Sequence, residues 1–156
     1  MVDIGDVNFE GSLNYEGEAQ IGFSAYRSTA KVIVDQEWRD AICDTELYDY
    51  GNNYNTSSGQ FVCPVAGRYI FNGCITLLAM TIGDRVQIAF YKNGTIYRKL
   101  CDIGAGRTGN FAFNGSAIME LDVDDSIELF VWQSSGNTLD LNTGQSDTYF
   151  SGQKLA

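Results

Sequence analysis

The 156 residues hold 20 carboxylates and ten Lys or Arg, with no histidine anywhere. Without an imidazole the chain lacks the usual general base near neutral pH and the commonest metal ligand, and Ser-His and Cys-His nucleophile systems are excluded. Asp122, Asp124 and Asp125 cluster on a short turn where oxygen ligands would suit calcium. That segment has neither the glycine nor the distant glutamate of an EF-hand loop, so it reads as a solvated acidic turn. Gly104 to Gly109 spaces its glycines like a dinucleotide loop, but no helix or βαβ unit surrounds it, so it reads as a strand connection. No pair among the acids is singled out for glycoside hydrolysis, and a glycan-degrading enzyme is disfavoured. The chemistry on offer is recognition. Tyr48, Tyr50, Asn52, Asn53 and Asn55, interleaved with Asp49 and Tyr54, combine rigid contact area with adaptable hydrogen bonding, a mixture suited to sugars or protein surfaces. The alternative is a loop whose tyrosines pack back onto a sheet. A second polar strip, Gln133 to Asn137 with Asp140, Asn142 and Gln145, would line a distal rim.

The elements that must position these residues are strands. One Pro, 17 Gly and 13% aromatic residues, with Asn-Gly and Ser-Gly pairs along the length, punctuate many short strands. Pro64 to Gly67 makes a tight corner, because Pro64 donates no ladder hydrogen bond and Gly67 reaches backbone conformations closed to other residues. Strands are expected from Gln20, at Lys31 to Val34, weakly at Trp38 to Glu46, and at Arg68 to Leu78. Others are expected at Arg85 to Tyr91, Thr95 to Leu100, Gly109 to Leu121, Ser126 to Gln133 and Thr148 to Leu155, with a long surface loop at Tyr48 to Ser58. Residues 1–19 read as an extended acidic leader and 20–156 as one head, large enough to bury about two-thirds of its unfolded surface. Short and long connections together suit an all-β, two-sheet jelly roll.

A net charge of −10 argues against nucleic acid and anionic membranes as partners. No apolar stretch is long enough to span a bilayer as a helix, and Met1 to Asp6 does not read as a secretory signal. Either cytoplasmic synthesis or a head trimmed from a longer protein is therefore expected. Cys43, Cys63, Cys74 and Cys101 show no metal spacing and read as four buried thiols rather than two disulfides. Asn55, Asn93 and Asn114 fit the glycosylation pattern but read as turn residues. Two strands are apolar on both faces: Ile127, Leu129 and Val131 oppose Phe130 and Trp132, and Val86, Ile88 and Phe90 oppose Ala89 and Tyr91. A lone sandwich buries only its inner face, so the outward aromatics require either a subunit interface or a covering segment.

Phe61, five residues, then Gly67-Arg68-Tyr69-Ile70-Phe71 closely resembles the signature of the complement C1q globular-head family of the TNF-like superfamily. Asp49 and Tyr54 upstream match it. So do Ile88 to Thr95 with its Lys-Asn-Gly turn, Gly115 to Ile118, Ile127-Glu128-Leu129 and Phe150-Ser151-Gly152, in the right order from Phe23 to Leu155. The departures are Cys43 for the usual Phe, Gly73 for an aromatic, and Gln153-Lys154 for an apolar pair.

The resemblance implies a homotrimer of non-enzymatic jelly-roll heads, with Tyr91, Phe130 and Trp132 near subunit contacts. It also implies a possible calcium ion near the threefold axis, held by Asp102 in the loop after the Lys-Asn-Gly strand, unless Lys99 or Arg107 neutralises that carboxylate. A bacterial or phage product is expected, displayed on a virion or cell surface: a tail-fibre tip, head fibre or capsid decoration meeting a host glycan or protein. The alternative is the C-terminal head of a bacterial collagen-like or spore-surface protein.

Overall fold

The computed structural model describes residues 20–155, and the leader expected over 1–19 lies outside them. Seven strands form one antiparallel sheet: β1 (Gly22–Tyr26), β2 (Lys31–Ile33), β4 (Thr45–Tyr50), β7 (Gly67–Met80), β10 (Gly109–Leu121), β12 (Leu139–Leu141) and β13 (Tyr149–Lys154). Six form the other: β3 (Arg39–Asp40), β5 (Tyr54–Asn55), β6 (Gln60–Val62), β8 (Arg85–Lys92), β9 (Thr95–Gly104) and β11 (Ser126–Ser134). Strand β7 is the hub of the first sheet. Strand β10 pairs along its length, β13 and β12 take its other edge, and β13 continues to β1 and β4. In the second sheet β11 lies between β8 on one side and β6 and β3 on the other. Neighbours this distant in sequence make the jelly-roll topology.

The Pro64 corner is where the chain crosses between sheets, from β6 to β7. Gly67 sits at φ +152°, and a side chain there would press on Lys154. Backbone bonds from Cys63 N to Asp125 O and from Asp124 N to Cys63 O, each 2.8 Å, fasten the corner to the acidic turn. The Tyr69 hydroxyl donates to Val65 O at 2.7 Å.

Alternation is what buries the core. Along β11 every second residue from Ile127 to Gln133 is buried, and along β7 Tyr69, Phe71, Ile75 and Leu77 point inward. Six aromatic side chains close the middle: Phe23, Phe71 and Phe150 from the seven-stranded sheet, Tyr54, Phe61 and Phe90 from the six-stranded one. Phe23 stacks on Tyr54 with centroids 4.5 Å apart and meets Phe150 edge-on at 4.9 Å. Phe61 meets both Phe23 and Phe71 at 5.4 Å. Each ring fully removed from water stabilises the fold by about 1.5–3 kcal/mol.

The departures from the family pattern have local causes. A Cβ at Gly73 would lie 2.7 Å from Leu129 Cδ1 and 3.3 Å from Phe90, so Leu129 occupies the room of the missing aromatic. Cys43 is buried, and its carbonyl accepts the Tyr54 hydroxyl at 2.9 Å.

Several expectations need correcting. Tyr48 and Tyr50 lie on β4 rather than in a loop, because the outer edge of β1 offers them a ladder. The weak strand at Trp38 to Glu46 splits, since Ile42 takes φ +29° between β3 and β4. Strand β9 runs on to Gly104, held by β8 through two irregularities of register. Asn114 sits inside β10, not at a turn. All four thiols are free, but Cys101 is only half-buried. Burial pushes the Cys43 thiol up to about 12 and raises those of Cys74 and Cys101.

Candidate functional site

Strand β4 and the loop after it build the first candidate surface. Tyr48 and Tyr50 stand side by side on the outer face of the seven-stranded sheet, opposite Ser24 and Gly22, with ring centroids 5.1 Å apart. Asp49 between them does structural work. Its carboxylate accepts the backbone N–H of Asn53 at 3.2 Å and of Tyr54 at 2.9 Å, closing the loop in which Asn52 adopts φ +54°. The matched Asp and Tyr of the family pattern are thus a loop clamp and a core ring.

That clamp presents Asn52, Asn53 and Asn55 to an open cavity of about 610 Å³. Glu46 from β4, Gln60 from β6 and Asp124 from the acidic turn complete its polar wall, while Val62 and Pro64 supply apolar floor. Tyr48 and Tyr50 do not line it, so the five expected ligand residues divide into a cavity trio and a separate exposed tyrosine pair. Asn55 Oδ1 is spent on the N–H groups of Ser57 and Ser58, at 2.8 and 3.2 Å. Among the described residues the side chains of Glu46, Asn52 and Asp124 have no hydrogen bond and no salt bridge. Sequence reasoning missed Glu46, Gln60 and Asp124 as cavity residues because three separate elements bring them together.

The acidic turn is less solvated than expected. Lys92 Nζ lies 2.7 Å from Asp125 Oδ2, Asn93 Nδ2 donates to Oδ1 at 2.8 Å, and the Asp122 N–H adds a third bond at 2.7 Å. The Lys92 hydrogen bond first, then those of Asn93 and Asp122, hold the Asp125 carboxyl down at about 2 against the cost of burial. This lock ties the Lys-Asn-Gly turn, where Asn93 and Gly94 both have positive φ, to the acidic turn that brings Asp124 to the cavity.

Asp102 is in β9, not in a loop, and Arg85 holds both of its oxygens at 2.6 Å. Those bonds keep its carboxyl below the usual range. Arg85, rather than Lys99 or Arg107, neutralises it; Arg107 instead lies over the Phe111 ring at 4.8 Å. Among the described residues no three acidic or sulfur groups come together to hold a metal.

Tyr91, Phe130 and Trp132 share the outer face of the six-stranded sheet. Tyr91 stacks on Phe130 with centroids 3.9 Å apart, and Trp38 packs against Tyr91 at 5.8 Å, so the chain covers part of this patch itself. Glu128 lies in the same strip, its carboxyl raised by burial despite a hydrogen bond from Gln60. On the outer face of the other sheet, Ile118 is 56% exposed beside Ile70.

At the distal rim Ser135, Asn137 and Asp140 line a small cleft of about 180 Å³ together with Asp84. Gln133 is not on that rim. It is buried, donating to Ile33 O at 3.2 Å and Asn137 O at 2.7 Å while accepting from Ser135 N at 2.7 Å. Another buried polar group escaped sequence reasoning. Arg27, 8% exposed, donates to the carbonyls of Ile42 (2.6 Å) and Ala30 (3.3 Å) and to Thr29 Oγ1 (3.1 Å). Asp44 beside it accepts from Ser28 N at 2.6 Å and Oγ at 2.9 Å, and from Thr29. Burial alone would raise the Asp44 carboxyl, but these bonds outweigh it and hold it at about 2.

The family model described as C1q domain matches residues 22–154, nearly everything the fold uses. The chain belongs to the C1q domain family. Mouse complement C1q tumor necrosis factor-related protein 2 is 31% identical over 141 residues, covering 87% of this chain and 46% of that protein. Its human counterpart is 34% identical over 110 residues, covering 70% of this chain and 36% of that protein. This C1q domain chain therefore spans less than half the length of these relatives. Among solved structures, the globular domain of zebrafish complement 1qA protein is similar at a TM-score of 0.59 and 15% identity, covering 87% and 98% of the two chains. Murine APRIL at pH 5.0 gives a TM-score of 0.65 at 9% identity, covering 87% and 99%. At such identities these structures speak for the shared jelly roll.

Proposed function

We propose that this C1q domain is a non-enzymatic binding and display head, working as a homotrimer and presenting the Asn52-Asn53-Asn55 cavity to a host-surface glycan. The observation that carries this reading is the cavity itself: Asn52 stands uncommitted on a loop held by Asp49, and Glu46 and Asp124 stand uncommitted on the same cavity's lining. C1q and TNF-family domains form homotrimers, and three copies of a weak site gain affinity through avidity. Tyr91, Phe130 and Trp132 are proposed to lie near the subunit contacts. The particle that bears the head is proposed to be a virion. A stalked cell-surface protein is the second reading, favoured by the length of the relatives beyond the matched region.

Sedimentation equilibrium together with glycan and host-envelope screening tests the reading. A trimer that binds a glycan through the cavity is expected. A stable monomer at micromolar concentration removes the trimer, and a trimer that binds neither glycans nor envelope fractions removes the receptor role. Structural phage genes beside this gene would support the virion, and an upstream Gly-X-Y repeat the stalk.

A further inference from the structure

The carboxylates of this chain divide sharply by company. Asp125 is locked to Lys92, Asp102 to Arg85 and Asp40 to Lys31, while Asp44 is ringed by hydroxyl and amide donors. Glu46 and Asp124 differ. Both are exposed, and like Glu120, Asp122 and Asp140 neither has a salt bridge or a side-chain hydrogen bond among the described residues; unlike those three, both border the same cavity. They arrive from unrelated elements, β4 and the turn before β11, so their meeting is a product of the fold rather than of local sequence.

No Lys or Arg lines that cavity; apart from the buried Cys63 thiol, every other polar group on its wall is an amide, a hydroxyl or a backbone atom. Amides read hydroxyl groups with either sign of hydrogen bond, donating from nitrogen and accepting at oxygen. Two unpaired carboxylates repel a third anion and attract an ammonium group, and the net charge of −10 adds to the same field. The wall therefore carries one preference for hydroxyl-rich surfaces and a second for positive charge.

We infer that the cavity selects amino sugars with a free, protonated amine, over their acetylated forms and over acidic sugars. This rests on the reading of the cavity as a saccharide site and adds what kind of saccharide it takes. The amine pairs with Glu46 or with Asp124 while Asn52 and Asn53 hydrogen-bond the ring hydroxyls. An exposed ion pair contributes up to about fivefold in affinity, so the preference for the free amine over the acetamide is up to about fivefold in low salt and shrinks as salt rises.

Calorimetric titration of the assembled protein below the amine pKa tests this, with oligomers of glucosamine, N-acetylglucosamine and galacturonic acid as probes. Binding in the order glucosamine, N-acetylglucosamine, galacturonate is expected. The Glu46→Gln/Asp124→Asn variant should bind the first two alike while its melting temperature stays near that of the wild type. Equal wild-type affinity for amine and acetamide, or tighter binding of galacturonate, overturns the selectivity but leaves the cavity a saccharide site. A lysine oligopeptide binding as well as glucosamine overturns the sugar assignment. Binding of none of the three saccharides overturns this inference, and if glycan screening is also blank it removes the saccharide reading beneath it.

Discussion

Arg85 donates Nε–H and Nη2–H to the two oxygens of Asp102, each at 2.6 Å, across the β8–β9 ladder. A carboxylate held in this two-pronged grip is neutralised by the guanidinium and has two of its lone pairs taken, so it draws a metal ion weakly unless the guanidinium leaves. Melting curves of the wild type in chelator and in millimolar calcium are therefore expected to coincide. Arg85→Ala frees the carboxylate. A calcium-dependent rise in melting temperature in that variant, absent in Arg85→Ala/Asp102→Asn, would show that Arg85 is what keeps the ion out.

Acid should loosen the molecule at two named places. The Asp44 and Asp125 carboxyls are held at about 2 in the folded state, against an ordinary 3.8. A depressed carboxyl contributes stability that is present above its unfolded pKa and is lost as pH falls through the folded one. The window is therefore from about pH 4 down to about pH 2. Thermal midpoints measured across it should fall for the wild type and fall less for Asp44→Asn and Asp125→Asn, which start lower at neutral pH.

The core should resist enlargement at one position as firmly as truncation at another. Phe61→Ala removes a ring that touches Phe23, Tyr69 and Phe71, and should cost about 3–5 kcal/mol in denaturant unfolding. Gly73→Ala forces Leu129 to move and should cost about 1–3 kcal/mol. Gly73→Phe, which restores the family's usual aromatic, should not fold unless Leu129 is also made small.

Two faces compete for the subunit contact, and charge tells them apart. Trp132→Glu and Ile118→Glu place a carboxylate on the outer faces of the six- and seven-stranded sheets respectively. The one that lies between subunits should dissociate the trimer, because it buries a charge with no partner, and the other should leave the sedimentation coefficient unchanged. Dissociation by Ile118→Glu alone would move the interface away from Tyr91, Phe130 and Trp132.

The sheet-forming logic was legible in the sequence because it is local. The two-sided pattern of β11, the Pro64-to-Gly67 corner and the Asn93-Gly94 turn each depend on residues within a few positions of one another. Asp102 was misplaced because its partner Arg85 is 17 residues away and holds β9 in the sheet past the point where its own alternation fades. Tyr48 and Tyr50 were hidden by their neighbours: Asp, Asn and Gly around them spell a loop, while the free edge of β1 makes them a strand. Asn52, Asn53 and Asn55 were found from their side-chain chemistry. Glu46 and Asp124 were not, because only the closing of the sheets brings them to one cavity. Arg27 carries no sequence signal of burial, since what accepts its protons is mostly backbone carbonyl.

The position of β13 has a consequence for how the protein is made. This strand lies between β1 and β7, completing ladders to both, and its Phe150 closes the ring cluster around Phe23. A nascent chain that has emerged only as far as β12 has its two longest ladders, β7–β10 and β8–β9, available but two unpaired edges in the middle of its main sheet, with Phe23 and Phe71 in water. Folding is thus committed only when translation has passed Lys154, and until then the exposed edges need shelter from one another. Slowing the ribosome within residues 1–140 should leave the yield of native protein unchanged, whereas stalling it before β13 should produce a species that binds chaperones.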